Sequence, residues 1–536
     1  MTDQREAVRS NAKYLRNVRP IDPEEICEYV EGTPHPAVVR QILREEAPDL
    51  GLLERDDGTF VPVEDDPVSP LSGPVRALPS RYERRLEDLL VDRYGPDWHR
   101  GASGDLLRST IRRFKSSYLE RAPVEYDEDV AAGYAIYHLP AYYAAVQYAL
   151  DDLAERELLG RHLRVLDVGA GVGGPALGLV DYLPADSLVE YHAIEPSAAA
   201  DVLEALLAET GPNVHATVHR TTAEAFDVDE TDADDGGEGF DLVLVCNVLS
   251  ELDDPEAVLR RYLEVLAPDG ALLAMAPADK HTSTQLRDLE RAVEDERLEW
   301  TVSADVGDGA NGAGEDRVAV YAPAVRLWPG ERPADRGWTF DVRPDLTVPS
   351  FQRKLEEAAS HDAETDGGDG GESEADGRTP GEFVNVDVQF SYSILRRDGR
   401  RRIDIDLDAS RWAKMAEMER HVPNRIDLVA AKLSRSLSSD GGSNGANGGR
   451  ARGGRGGGDG GGRGTNRPNP LFKISDGSES IDHYAVLTNE TALNRPLLEA
   501  DYGDVLAFEQ VLALWNDDEG AYNLVVDEET IVDPVA

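Results

Sequence analysis

The stretch from Val165 to Gly174, VLDVGAGVGG, decides the fold of this chain. It begins as an apolar run that ends in Asp167 and continues as Gly-x-Gly-x-Gly-Gly. This pattern is typical of a buried parallel strand that turns sharply into a helix. Glycine permits positive φ and lets the backbone approach a ligand closely at the helix N-terminus. The segment therefore predicts a Rossmann-like α/β sheet with a ligand site at its first strand-to-helix turn.

The glycine spacing alone fits two cofactors. Gly169-x-Gly171-x-x-Gly174 has the spacing of a dinucleotide-binding fingerprint, which by itself is a weak signal. Asp167 favours S-adenosylmethionine (SAM), because methyltransferase sites often carry an acid two residues before the first glycine and NAD sites rarely do. A plain strand-to-helix turn without a ligand is the alternative. We expect the following residues to contact SAM: Asp167, Gly169, Ala170, Gly171 and Gly173.

Polar residues that follow the later strands extend this site. Glu195 ends the predicted strand YHAIEP, 21 residues after Gly174, where an acid accepts hydrogen bonds from ribose hydroxyls in NAD and SAM folds alike. Asn247 follows the strand FDLVLVC and is expected to face the cofactor or the methyl acceptor. Capping of the next helix is an equally good interpretation of Asn247. Glu224, after the strand VHATVHR, is expected near the adenine.

No single catalytic residue can be named from the sequence. The strand before Asn247 does not lead into the Asn/Asp-Pro-Pro-Tyr/Phe motif that holds exocyclic amines, and no catalytic cysteine for cytosine-C5 chemistry is present. Methyl transfer displaces an already activated sulfonium, so positioning can supply most of the catalysis and a general base is optional. Asn247 is the candidate for a catalytic role.

Composition limits the class of protein. With 536 residues, the chain is long enough for two to four domains. Its 104 acidic and 55 basic residues give a net charge of −49, which disfavours generic attraction to phosphate or membrane surfaces. The acids are spread over every segment, and 40% of the residues are hydrophobic, so the chain is not a disordered acidic protein. This pattern fits a cytoplasmic, halophilic protein from a very salty interior.

The cysteines and the hydrophobic runs exclude several other classes. Cys27 and Cys246 lie far apart and neither belongs to a CxxC motif, so we expect no metal site and no disulfide-linked partner. No apolar run reaches 18 residues and the N-terminus lacks the apolar region of a signal peptide, so we expect no membrane association.

Periodicity and low-complexity segments predict five parts. Two helices and a hairpin around Asp57-Gly58 suggest a winged-helix-like module at the N-terminus, more suited to docking than to reading DNA. The short strand Arg425–Leu433 is predicted to join the C-terminal strands in a small β-barrel. The predicted parts are the winged-helix-like module 1–78, a basic helical segment 79–125, the methyltransferase-like domain 126–435 with a disordered acidic insert 361–381, an Arg/Gly-rich disordered loop 436–470, and a β-rich domain 471–536.

Two basic segments stand out against the acidic background. The helix LLRSTIRRFKSSYLER, residues 106–121, concentrates positive charge beside Phe114 and Tyr118, and the Arg/Gly loop resembles segments that contact RNA without sequence preference. A solvated helix face and a lengthened surface loop are the respective alternatives. The candidate RNA contacts are Arg108, Arg112, Arg113, Lys115, Arg450, Arg452 and Arg455.

Four segments resemble the small-ribosomal-subunit methyltransferase-like family, which is known from mitochondrial ribosome assembly and from prokaryotic relatives. They are GYAIYHLPAYYAAVQYAL (133–150), the VLDVGAGVGG loop, FDLVLVCNVLSELDD (240–254) and FVNVDVQFSYSILRRDG (383–399). The Tyr-x-x-x-His-Leu-Pro-Ala-x-Tyr block is the most specific of these. The resemblance spans about residues 79–400 and implies a class I methyltransferase fold, with the SAM role on Asp167, Gly169, Gly171 and Glu195.

The chain departs from that family at one place. The family commonly carries four cysteines that hold an iron–sulfur or other metal centre, and the corresponding stretch 322–340 has none. We expect no metal there, with apolar packing of Trp328, Trp338 and Phe340 in its place. The leading hypothesis is SAM-dependent methylation of small-subunit rRNA or of the small ribosomal subunit. A SAM-binding assembly factor without turnover is the alternative, and a small-molecule methyltransferase ranks third.

Overall fold

The computed structural model describes residues 2–228, 239–297, 317–366, 381–438 and 468–535. These residues form two compact units. The first contains the described residues of 2–273 and 343–388, and the second contains those of 274–342 and 389–535.

The N-terminal module of the first unit follows the predicted order of two helices and a hairpin. Its elements are α1 (Thr2–Leu15), α2 (Pro23–Tyr29), α3 (Pro36–Glu45), α4 (Ala47–Leu50), β1 (Leu52–Glu54) and β2 (Phe60–Pro62). Asp22 caps α2 by accepting from the Glu24 N–H, and Pro23 at the first turn fixes φ there. Val8, Leu43 and Phe60 are fully buried in the module's core, so α1, which the sequence did not predict, completes it.

Three long helices precede the sheet of the first unit: α5 (Ser80–Tyr94), α6 (Gly101–Glu120) and α7 (Glu128–Ala154). Asp127 caps α7 by accepting from the N–H groups of Asp129 and Val130. The helix is apolar on nearly all sides and is buried along most of its length, as expected of a core helix.

The sheet of the first unit is Rossmann-like. Its elements are β3 (His162–Val168), α8 (Gly174–Tyr182), β4 (Leu188–Ile194), α9 (Ala199–Leu207), β5 (Val214–His219), β6 (Phe240–Cys246), α10 (Pro255–Glu264) and β7 (Leu266–Pro277). The strand order is β5-β4-β3-β6-β7, and β3 pairs in parallel with both β4 and β6. The order therefore reverses beside β3, and ligands of open α/β sheets bind at this switch point. The predicted fold class is confirmed.

The last residues of β7 belong to the second unit, where the strand order continues as β7-β10-β8. The elements that follow β7 in the chain are α11 (Lys280–Val293), β8 (Ala319–Ala322), β9 (Asp341–Arg343), α12 (Ser350–Asp366) and β10 (Val388–Arg396), of which α12 lies in the first unit. β10 and β8 pair antiparallel. The Phe-Ser-Tyr segment at 390–392 lies in β10, and this strand is buried along nearly its whole length.

A small β-barrel ends the second unit, as predicted. It contains β11 (Arg425–Lys432), β12 (Leu471–Ser475), β13 (His483–Leu487), α13 (Pro496–Glu499), β14 (Val505–Asn516), β15 (Ala521–Val526) and β16 (Ile531–Pro534). The order β11-β12-β13-β15-β14 closes through pairing of β11 with β14, and β16 adds to β14. Leu428, Phe508 and Leu524 are fully buried inside it. The strand Arg425–Lys432 thus lies in the barrel, ahead of the boundary predicted at 435.

One sequence expectation needs correction. The acidic insert was predicted to be disordered over 361–381, but α12 continues to Asp366, and residues 367–380 lie outside the described ranges. Trp328, which was predicted to pack in an apolar cluster, is buried, and its Nε1–H donates to Asp476 Oδ2 at 2.8 Å. Trp338 and Phe340 do pack together, with ring centroids 5.2 Å apart.

The described residues also exclude two kinds of feature. They contain no helix that is both long and apolar enough to cross a membrane. They also contain no group of three or more His, Cys, Asp or Glu side chains that could hold a metal ion.

Candidate functional site

The glycine loop between β3 and α8 has the positive-φ backbone that its glycines permit. Gly169, Gly171 and Gly173 have φ of 71°, 55° and 90°. A Cβ at Gly169 would come within 2.5 Å of the Val248 side chain, and one at Gly173 within 2.6 Å of Leu203. At Gly171 no atom lies within 4 Å of the Cβ position. Two of the glycines are thus required by packing, whereas the third leaves open space.

Glu195 holds this loop in place from the end of β4. Its Oε2 accepts from the Gly171 N–H at 2.8 Å and its Oε1 accepts from the Ser197 N–H at 2.9 Å. The side chain is buried at the pocket wall. Because a carboxylate offers about four lone-pair positions, both oxygens keep capacity for ribose hydroxyls. The predicted acid therefore lies at the predicted place.

Asp167 is fully buried at the end of β3 and is not part of the pocket wall. The Tyr191 hydroxyl donates to its Oδ2 at 2.5 Å. Its Oδ1 has no hydrogen-bond partner among the described residues. Burial raises the pKa of Asp167 to about 7. A buried carboxylate oxygen without a partner beside the glycine loop fits a cofactor that carries a positively charged amino group.

Six of the eight predicted cofactor residues meet at one pocket at the carboxyl ends of β3, β4 and β6, whereas Asp167 and Gly173 are not part of its wall. The pocket has a volume of about 250 Å³. It is formed by the glycine loop, the ends of β4 and β6, the segment after β5 and one face of α7. The predicted site residues in its wall are Gly169, Ala170, Gly171, Glu195, Glu224 and Asn247.

Asn247 has a left-handed backbone, with φ of 59°. This conformation is costly for a residue with a side chain, and Asn tolerates it better than most residues. The interpretation of Asn247 as a helix cap is wrong. The 3₁₀ helix Leu249–Glu251 begins after Val248 without a side-chain cap, and Asp254 caps α10 by accepting from the Ala257 N–H. Strained backbone of this kind is concentrated at functional sites, which supports a role of the Asn247 side chain in the pocket.

Glu224 lies at the rim of the pocket and is exposed. The guanidinium of Arg261 on α10 donates to the Glu224 carbonyl oxygen at 2.7 Å, and the Tyr262 hydroxyl donates to the Ala223 carbonyl oxygen at 2.7 Å. Two α10 side chains therefore hold the segment that carries Glu224. Its predicted position near the adenine stays a prediction.

The sequence analysis missed the aromatic face of α7. Tyr134, His138 and Tyr142 follow one another at four-residue spacing, with ring centroids 4.6 and 5.1 Å apart. Tyr134 and Tyr142 line the pocket, together with Tyr126 and Glu251. The spacing in GYAIYHLPAYY was the available signal, because residues four apart lie on the same helix face. The sequence analysis used this block only as a mark of family resemblance.

The predicted RNA contacts on α6 mostly have partners within the chain. Arg108 is 1% exposed and donates to Asp105 at 2.7 Å and to the His99 carbonyl oxygen at 3.2 Å, so it is a structural residue and its prediction is corrected. Arg112 makes a bidentate ion pair with Glu382. Lys115 donates to the Glu382 carbonyl oxygen at 3.2 Å. Arg113 is exposed. Arg450, Arg452 and Arg455 lie outside the described residues.

The comparison with protein families agrees with this geometry. Residues 166–272 match a family described as a methyltransferase domain. This segment therefore has the fold of a SAM-dependent methyltransferase. Residues 5–56 and 416–535 match the N-terminal and C-terminal domains of a family of unknown function, DUF8157. No curated protein matches the chain.

Several solved structures match parts of the chain. The CcbJ methyltransferase from Streptomyces caelestis is 20% identical over 26% of this chain and 49% of its own, with a TM-score of 0.19. A SAM-dependent methyltransferase from Clostridium acetobutylicum is 13% identical over 31% and 58%, with a TM-score of 0.20. The plantazolicin methyltransferase BpumL in complex with a pentazolic desmethylPZN analogue and S-adenosylhomocysteine (SAH) is 14% identical over 42% of this chain and 66% of its own, with a TM-score of 0.22. The chain spans about half the length of the structures that it matches first.

Proposed function

We propose that this chain binds SAM and transfers its methyl group to small-subunit rRNA or another component of the small ribosomal subunit. The observation that carries the SAM part is the convergence of the open position at Gly171, the Glu195 carboxylate and Asn247 on one pocket at the switch point of the sheet. Beside the glycine loop, Asp167 contributes a buried carboxyl group whose Oδ1 has no hydrogen-bond partner among the described residues.

The residues present fit the cofactor by their chemistry. Glu195 accepts hydrogen bonds, as ribose hydroxyls require, and the bare backbone at Gly171 permits close approach. Asp167 holds a buried carboxyl group beside the glycine loop, and Asn247 offers an amide at the end of β6. Bound SAM supplies an activated methyl group, so the contribution of the protein is to position the two reactants and exclude water.

The rRNA part rests on the family resemblance and on charge. The Tyr-x-x-x-His-Leu-Pro-Ala-x-Tyr block forms the α7 face beside the pocket, where aromatic rings suit a planar base taken out of its stack. The exposed Arg113 and the arginines of the segment 439–467 offer positive charge to a phosphate backbone.

The decisive experiment incubates the purified chain with methyl-labelled SAM and small ribosomal subunits at molar salt. We expect label in the rRNA with wild type and none with Gly171→Val. Label in a ribosomal protein, or in added small molecules only, would contradict rRNA as the acceptor. Failure of the chain to bind SAM in an equilibrium titration would contradict the proposal as a whole.

The alternative is a ribosome-assembly factor that binds SAM without turning it over. The lack of an Asn/Asp-Pro-Pro-Tyr/Phe motif after β6 favours it, because that motif holds an exocyclic amine in many methyltransferases. Under this alternative the chain co-sediments with small subunits and binds SAM, while the rRNA stays unlabelled in the same assay.

A further inference from the structure

One side of the pocket combines the aromatic side chains of α7 with a carboxylate to which the proposed function gives no role. Tyr126, Tyr134, Tyr142 and Glu251 line it, and they are called the tyrosine–glutamate wall here. The ring centroid of Tyr134 lies 5.5 Å from that of Tyr126 and 6.3 Å from that of Tyr142. The Tyr126 hydroxyl donates to Glu251 Oε1 at 2.9 Å. Three aromatic rings and a carboxylate therefore share one side of the cavity.

The charged side chains that line the pocket are all acidic. Its wall contains the carboxylates of Glu195, Glu224 and Glu251, and none of the described residues that form it is Lys, Arg or His. Each oxygen of Glu195 accepts from one backbone N–H group, and their remaining capacity is assigned to the ribose by the proposed function. Glu251 Oε1 accepts from the Tyr126 hydroxyl. Burial, with a smaller effect of Glu195, raises the pKa of Glu251, so a cation bound beside it would favour the charged carboxylate.

The groups behind the wall do not supply a positive charge either. His138 lies between Tyr134 and Tyr142 on α7, and burial, with a smaller effect of Lys115, lowers its pKa to about 3, so the ring is neutral. Lys115 itself stands over the Tyr137 ring at 4.5 Å and donates to the Glu382 carbonyl oxygen. It is not part of the pocket wall.

We propose that the tyrosine–glutamate wall is a binding site for a compact cation. Aromatic faces attract cations through the ring quadrupole, and a carboxylate adds direct charge attraction. This inference rests on the proposed function, because two cations can reach the pocket of a SAM-dependent enzyme. One is the sulfonium of the cofactor, and the other is the ammonium group of a second substrate.

Calorimetric titration of the full chain at one fixed salt concentration separates these sources. S-adenosylhomocysteine (SAH) is SAM without the methyl group and without the positive charge on sulfur. If the wall binds the sulfonium, SAM binds about tenfold more tightly than SAH, which lies within the usual range for a cation held by aromatic rings. If it binds an ammonium group, SAM and SAH bind alike, and methylammonium chloride binds saturably to the SAH complex.

Variants test whether the preference for SAM over SAH, or the binding of methylammonium, depends on the tyrosine–glutamate wall. Glu251→Gln keeps the shape and removes the charge, so it should abolish the selectivity or the methylammonium binding while SAH affinity changes less than about threefold. Asp253→Asn is the matched control, since Asp253 is exposed nearby and does not line the pocket. Equal binding of SAM and SAH without saturable methylammonium binding would overturn the proposal, as would full selectivity in Glu251→Gln. Absence of both SAM and SAH binding would instead contradict the proposed function.

Discussion

At the scale of single residues, the pocket concentrates groups that folding alone does not favour. Asp167 is a buried acid with an unpartnered oxygen, and Asn247 has a left-handed backbone. Both features cost stability in the absence of a ligand. A bound cofactor can offset the cost at Asp167, because any ligand that binds only the folded state stabilises it.

Asp167→Asn should stabilise the protein without SAM at pH 8 and have little effect at pH 4. The folded pKa of about 7 lies above the unfolded value near 4, so the folded state binds the extra proton. The free energy of unfolding of the wild type therefore falls by about 1.4 kcal/mol per pH unit as the pH rises from about 4 to 7. Above pH 7 it no longer changes with this group. Thermal unfolding at several pH values measures this. The same variant should weaken SAM binding, and unchanged affinity would contradict the role of Asp167.

Gly171→Val should lose SAM binding alone, whereas Gly173→Val should lose both stability and SAM binding. At Gly171 the Cβ position is open, so the variant bears only the strain of positive φ, about 1–2 kcal/mol, and should fold while its side chain blocks the cofactor. At Gly173 the new side chain meets Leu203, so the variant should lose both stability and binding. Circular dichroism and SAM titration distinguish these outcomes. SAM affinity within about threefold of wild type in Gly171→Val would contradict the placement of the cofactor.

At the scale of elements, close packing of α7 on α8 sets the position of the glycine loop. Gly178 on α8 lies against α7, where a Cβ would come within 2.4 Å of the Tyr143 carbonyl oxygen and 2.3 Å of the Val146 side chain. The loop leads directly into α8. Any separation of the two helices therefore moves the start of α8 and, with it, the backbone at the pocket.

Gly178→Ala should destabilise the first unit and weaken SAM binding. The added methyl group overpacks a site bounded by backbone, which typically costs about 1–3 kcal/mol. Gly211→Ala is the control, because nothing lies within 4 Å of its Cβ position and its φ is not positive. Denaturant unfolding and SAM titration of both variants test this. Equal stability of the two variants would show that α7 and α8 are not packed this closely.

At the scale of the whole molecule, the charge of −49 is the dominant feature. Surface carboxylates repel one another over the Debye length, which shortens from about 10 Å at 0.1 M salt to about 3 Å at 1 M. The fold contains several ion pairs that oppose this repulsion, such as Arg112 with Glu382, but basic residues number only 55 against 104 acidic ones. The compact state should therefore depend on screening by salt.

The unfolding temperature should rise by several degrees or more between 0.1 and 2 M potassium chloride, because screening reduces repulsion mainly in the compact state. Sucrose at equal osmolarity is the control, since it favours compact states without screening charge. A rise of equal size in sucrose would show that repulsion among the carboxylates is not the cause.

Local patterns were sufficient for the elements with strong signals. The apolar run before Gly169 predicted β3, Asp22-Pro23 predicted the start of α2, and four C-terminal strand predictions each have a counterpart in the barrel. α1 and β16 were missed because their faces are decided by partners distant in the chain. α1 packs on α3, and β16 pairs with β14. On α6 likewise, the partner of Arg112 is Glu382, which is distant in the chain.

The sequence by itself determined the Rossmann-like sheet, the strained glycine loop and the acid at the end of β4, because each depends on residues that are neighbours in the chain. Only the tertiary structure decided what surrounds them. It placed Tyr126, Tyr134 and Tyr142 beside Glu251, buried Arg108, and left Asp167 with an unpartnered oxygen. These facts concern the environment of side chains. Burial and partners come from segments far apart in sequence, which no local pattern records.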